Sequence, residues 1–116
     1  MQLLNDTDFD ARVIQAGVPV IVAFTAEWCA PCKWLHPVLA EVLTDSVGRI
    51  QVFAVDTDRS PGLAARYAVA SVPTVILLHE GVEVERSLGV EPERLRSWVP
   101  SSRLYGAASE PESESI

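Results

Sequence analysis

Residues 24–37 read FTAEWCAPCKWLHP, with two cysteines separated by two residues just after an apolar run and a histidine four residues beyond the second. Pro31 fits the first turn of a helix, where its missing N–H has no intrahelical partner to lose. Cys29 then lies just outside the helix, facing free N–H groups such as that of Cys32 and the positive end of the helix dipole. Both features favour a thiolate over a thiol. Cys32, one turn in, is expected to be the more enclosed of the two and within easy reach of Cys29. An outer attacking sulfur and an inner resolving one make a device for thiol–disulfide exchange.

The neighbouring segments supply a scaffold for that turn. VPVIVAFTA (18–26) and RIQVFAVD (49–56) are short, β-branched-rich runs of the kind buried on both faces of a sheet, with a helix expected from Pro31 to about Ser46 between them. Ser60 and Pro61 read as the N-cap and first position of another helix. TVILLH and VEVERSL flank Glu80-Gly81, a hairpin signal, and Leu95, Trp98 and Val99 fall at helical spacing before Pro100, where the pattern is expected to stop. Ahead of these lie a helix over about 7–15 and a short strand at 2–4. The order predicts an α/β fold: a central mixed sheet of four to five strands flanked by helices, its parallel pair joined by a right-handed crossover. Function in such sheets sits at the carboxyl ends of the parallel strands, where Cys29 and Cys32 fall.

Composition narrows the partners. A chain of 116 residues buries roughly two-thirds of its unfolded surface and folds without a structural staple. Net charge is −7, and the last ten residues, AASEPESESI, carry three glutamates and no base, leaving 13 acids against 9 bases in the body. Such a surface suits neither nucleic acid nor an anionic membrane. Residues 1–106 read as one domain and 107–116 as an acidic, disordered tail. The opening MQLLNDTDFD has no basic n-region or apolar block, so a cytoplasmic protein is the expectation.

WCAPCK resembles the active-site segment of the thioredoxin family, usually written WCGPCK. The resemblance extends from about residue 5 to 99 through AEWC, Pro37, VDTD, SVPTV (71–75), Gly81 and Gly89. It implies the thioredoxin fold and a protein-disulfide reductase in which Cys29 attacks and Cys32 resolves. By the same likeness Trp28, Ala30, Pro31, Val72, Pro73 and Gly89 form the docking surface, with Pro73 following a cis bond that presents backbone groups to the substrate. Ala-Pro between the cysteines is closer to the Gly-Pro of reducing members than to the Pro-His of strongly oxidising ones. Implied partners are disulfide-bearing proteins and an electron donor such as a thioredoxin reductase, for a monomer with no bound cofactor, NADPH being used only at the reductase.

Two departures bear on mechanism. The family's buried Asp, six residues before the first cysteine, is replaced by Ala23, and the Lys that pairs with it by Ala54. Losing one partner strands a buried charge, whereas replacing both by apolar groups can be neutral or stabilising. The joint change leaves Cys32 without its usual proton acceptor. His36 shares a helix face with Cys32; at 100° per residue from Cys32, His36 falls at roughly 40°, beside Leu39 and Leu43 and away from Lys33, Glu41 and Asp45. It is expected at the apolar edge, partly filling the vacated space, as a candidate proton acceptor. Thr25, where the family often has a second Trp, is a smaller departure. Pro100 is another, expected to shorten the last helix and leave SSRLYG as a contact surface.

Two other readings compete. Cys29, Cys32, His36 and His79 satisfy a four-ligand zinc count. Alternatively, the fold serves as an adaptor or chaperone-like module for a dedicated partner, with turnover incidental.

Overall fold

The computed structural model describes residues 1–46 and 48–106, with side chains described through residue 99. Its elements are β1 (Gln2–Leu3), α1 (Phe9–Val13), β2 (Val20–Thr25), α2 (Ala30–Asp45), β3 (Gln51–Asp56), α3 (Pro61–Arg66), β4 (Thr74–His79), β5 (Val82–Leu88) and α4 (Pro92–Gly106). Five strands make one mixed sheet in the order β1-β3-β2-β4-β5. β2 and β3 run parallel, with α2 as the connection, and β4 and β5 are added antiparallel.

Strand periodicity explains why the central runs lack polar alternation. In β2, Ile21 and Ala23 join a core with Leu35, Leu39 and Val42 of α2 and Leu95 and Trp98 of α4. Val20, Val22 and Phe24, pointing the other way, join Phe9, Val13 and Leu63 from the α1 and α3 side. Both faces are covered, so every position in the strand is apolar except its last. On the α2 face Ala23 lies directly opposite Ala54, and both are buried. The two positions expected to have lost a charged pair are therefore immediate neighbours.

Two boundaries and one cap differ from the sequence expectation. α1 is shorter, because Asn5 Oδ1 accepts the N–H groups of Thr7 and Asp8 while Asp8 Oδ1 accepts that of Asn5, which closes a turn before the helix begins. Ser60 occupies the N-cap of α3, with Pro61 following, but its side chain makes no capping bond. α4 continues through Pro100 to Gly106. An internal proline deletes one backbone bond and crowds the preceding turn, yet α2 likewise runs through Pro37. In α4 the preceding turns are anchored by Leu95, Trp98 and Val99, all buried. The SSRLYG side chains and the acidic tail lie outside the described residues.

The β4–β5 hairpin turns on Glu80 and Gly81, at φ 55° and 82°. Two successive positive φ values match the twist of the flanking strands, and glycine adopts that geometry most readily. A Cβ at Gly81 would also lie 2.9 Å from Ile14 Cγ1. Gly81→Ala is expected to lower unfolding free energy by about 1–2 kcal/mol, read as a lower urea midpoint at unchanged slope. On β5 the Arg86 guanidinium donates to both Glu83 carboxylate oxygens at 2.8 Å and to the Tyr67 carbonyl at 2.6 Å. Those bonds hold the Glu83 carboxyl below its ordinary range. The resulting stabilisation is complete above the unfolded glutamate value of about 4.3 and fades as pH falls through the lower folded value. Glu83→Gln is expected to remove that acid-limb slope, at a cost below about 1 kcal/mol for so exposed a pair, in urea midpoints measured from pH 7 down.

Candidate functional site

The carboxyl end of β2 leads through Ala26, Glu27 and Trp28 into Cys29, the N-cap of α2. Cys29 is extended, with φ −88° and ψ 106°, and its N–H donates to the Ala26 carbonyl at 3.1 Å. Pro31 in the first turn lets the chain bend into the helix without sacrificing a hydrogen bond. The Cys32 N–H donates to Cys29 Sγ at 3.3 Å, so an otherwise orphaned helical donor is satisfied by sulfur. The two cysteines form a disulfide with Cα atoms 5.4 Å apart.

The exposures reverse the sequence expectation. Cys29 is buried, at 4%, and Cys32 is half-buried. Cys29 is closed into the turn between β2 and α2. Cys32, at the first turn of α2, lines with Cys29 a cavity of about 630 Å³ whose lining also includes Ala23, Ala54, Leu39 and His36. Where a charged pair would stand, two buried alanines form part of the cavity lining.

His36 is also placed differently from the expectation. The buried stripe of α2 is Leu35, Val38, Leu39 and Val42, and Leu43, counted as apolar edge in the sequence, is exposed at 43%. The core-facing direction is thus turned away from His36, which is exposed. His36 lines the cavity and does not fill it.

The expected docking residues come to the same end of the sheet. Phe24 pairs with Thr74, so Val72 and Pro73 enter β4 beside the end of β2 that leads to the cysteines. The Val72–Pro73 bond is cis. Gly89, at φ 76°, donates its N–H to the Pro73 carbonyl at 2.9 Å, which ties the loop after β5 to this strand. Val72 is half-buried and Pro73 buried, while Ala30 and Pro31 are exposed. Trp28 is 71% exposed, and its Nε1 donates to Asp58 Oδ2 at 2.9 Å.

Asp58 was not assigned a role from the sequence, although VDTD contains it. Its place is set by Asp56, whose Oδ1 accepts the N–H groups of Asp58 and Arg59 and so shapes the turn after β3. Arg59 in turn pairs with Glu27 at 3.2 Å, holding the loop before Cys29. An acid at a strand end is the local signal for such a turn, but the contact to Trp28 spans 30 residues of sequence.

The zinc quartet is not brought together. Thr74 lies at the site end of β4 and His79 at the other, about 17 Å along the strand. No helix among the described residues is long and apolar enough to cross a membrane.

The Thioredoxin family model matches residues 1–101. A thioredoxin of Staphylococcus aureus is 40% identical over 90 residues, covering 78% of this chain and 85% of that protein. Thioredoxin M4, chloroplastic, of Arabidopsis thaliana is 37% identical over 89 residues, covering 77% of this chain and 46% of that protein. The chain spans about half the length of the chloroplastic relatives it matches. The structure of Fasciola hepatica thioredoxin superposes with a TM-score of 0.79 at 27% identity, covering 88% of this chain and 99% of that one. The sheet order, the cysteine turn at the end of β2 and a family match over nearly all of the described residues agree: this chain belongs to the thioredoxin family.

Proposed function

We propose that this protein reduces disulfides in other proteins, with Cys29 as the attacking thiolate and Cys32 as the resolving thiol. The observation that carries the reading is the asymmetric hydrogen bond at the head of α2, in which Cys29 Sγ accepts and the Cys32 backbone donates. In the dithiol form the same donor and the helix dipole stabilise negative charge on Cys29. Cys29 attacks one sulfur of a substrate disulfide and the other sulfur leaves as a thiol. Cys32 then attacks Cys29, restoring the internal disulfide and releasing the second substrate thiol.

Thiolate tuning is a modest part of the rate. Lowering a thiol from about 8.5 to about 7, the range ascribed to thioredoxins generally, raises the thiolate fraction at pH 7 roughly 16-fold, while lower nucleophilicity returns a factor of about 5. The remaining gain is about threefold. Docking must supply more, by holding the target disulfide in line with Cys29. Trp28, Ala30, Pro31, Val72, Pro73 and Gly89 present that surface, and the Asp58 bond sets the Trp28 indole in place. Within this reading the electron donor is a thioredoxin reductase or similar enzyme, and the compartment is the cytoplasm, where thiols are kept reduced.

Incubation with insulin should leave Cys32→Ser covalently joined to an insulin chain through Cys29, and Cys29→Ser free. Catalytic insulin reduction should be lost in both variants. A stable adduct formed by Cys29→Ser, or none formed by Cys32→Ser, contradicts the assignment. Asp58→Ala is expected to lower kcat/KM for insulin by about 2- to 10-fold, the worth of one hydrogen bond, while leaving the rate with a small aromatic disulfide within about twofold. Equal losses on both substrates would remove Trp28 positioning from the account.

A further inference from the structure

Resting on the roles proposed for Cys29 and Cys32, we infer that His36 is the proton acceptor for Cys32, working across the cavity that both residues line with Ala23 and Ala54. Cys32 and His36 are one helical turn apart on α2, with Cβ atoms of such a pair about 5–6 Å apart, and both line the same cavity. Ala23 and Ala54 lie opposite each other in adjacent strands and carry no group able to take a proton. Leu35 and Leu39 make the wall beneath. A thiol buried behind the active site would need an internal base, but a half-buried Cys32 beside this space can be served from the helix surface.

The other charged groups around the cavity are less suited. Besides Cys29, Cys32 and His36, the titratable side chains in its lining are Glu27, Lys33 and Asp56. Glu27 is paired with Arg59, and the Asp56 carboxylate accepts two backbone N–H groups and lies 4.0 Å from Arg59 Nε. The Lys33 ammonium is a donor with no acceptor position. His36 makes no hydrogen bond or ion pair among the described residues. Imidazole is also the side chain that exchanges protons in the neutral range.

In the resolving step the Cys32 S–H proton passes to an imidazole nitrogen, directly or through one water. The resulting thiolate attacks Cys29 Sγ, forming the Cys29–Cys32 bond and breaking the bond from Cys29 to the substrate sulfur. The electron pair leaves with the substrate sulfur, which takes up a proton from the imidazolium or from water. The protein dithiol is oxidised by two electrons and the substrate disulfide is reduced by two.

The two steps separate with 5,5′-dithiobis(2-nitrobenzoate), which releases one coloured thiolate when Cys29 attacks and a second when Cys32 resolves. Reduced protein is mixed with the reagent in a stopped-flow instrument from pH 6 to pH 10, and both phases are recorded. His36→Ala and His36→Gln are each expected to slow the second phase about tenfold at neutral pH, less than the ~10²-fold typical of general bases because water in the cavity competes. The first phase should stay within about twofold, and the deficit should close as pH passes the ordinary thiol value of about 8.5. A second phase unchanged in both variants, a deficit independent of pH, or equal slowing of both phases overturns the inference. If Cys32→Ser still shows the second phase, the underlying assignment of the resolving thiol fails instead.

Discussion

The bond from the Cys32 N–H to Cys29 Sγ holds the account together, because it makes two chemically identical side chains unequal. A helix must begin where a strand ends, its first N–H groups lack partners, and a sulfur stands where a capping oxygen commonly would. The rest of the fold serves that placement. β2 and β3, buried on both faces, fix the strand end in space, and α2 is pinned against them by Leu35, Leu39 and Val42. Pro31 allows the turn, and the paired Glu27 and Arg59 hold the loop that delivers Cys29. The hydrogen bond between Gly89 and Pro73 brings a second loop to the same end of the sheet.

Burial and reactivity are separated at this site. The sulfur proposed to attack belongs to the less exposed residue, and the sulfur proposed to resolve belongs to the more exposed one. Access alone would rank them the other way. What favours Cys29 is the local field of the helix start, together with the docking surface proposed for Trp28, Pro73 and Gly89. Ala23 and Ala54 stand where the family has a buried ion pair whose desolvation is costly, and they line the cavity beside the first turn of α2. In the fold's economy of charges, the proton problem of Cys32 moves from the interior to the helix surface.

Much of this was legible in the sequence, and the failures have physical reasons. The central strands could be read because runs such as VIVAFT must be covered on both sides, and the cysteine turn because Pro31 and the adjacent strand leave little freedom. Local signals also located the hairpin, where Glu80-Gly81 adopts the two positive φ values a tight turn requires. The relative exposure of Cys29 and Cys32 was not legible, since it depends on how the turn between β2 and α2 packs in the folded chain. The face of His36 was misjudged because Leu43 was placed with the apolar side of α2, while the helix actually buries Leu35 and Val38. Pro100 was read as a terminator from its local cost, but anchoring by Leu95 and Trp98 belongs to tertiary structure. Asp58 is invisible as a partner of Trp28 until the turn after β3 folds back on the loop before Cys29.

The sharpest measurement is the order in which the two thiols of the reduced protein react. Brief treatment with limiting iodoacetamide at pH 7, followed by mass mapping, sets thiolate character against exposure. If the helix start governs reactivity, Cys29 is modified first, by about threefold or more over an ordinary thiol at this pH. Modification of Cys32 first, or of both at equal rates, would contradict the account.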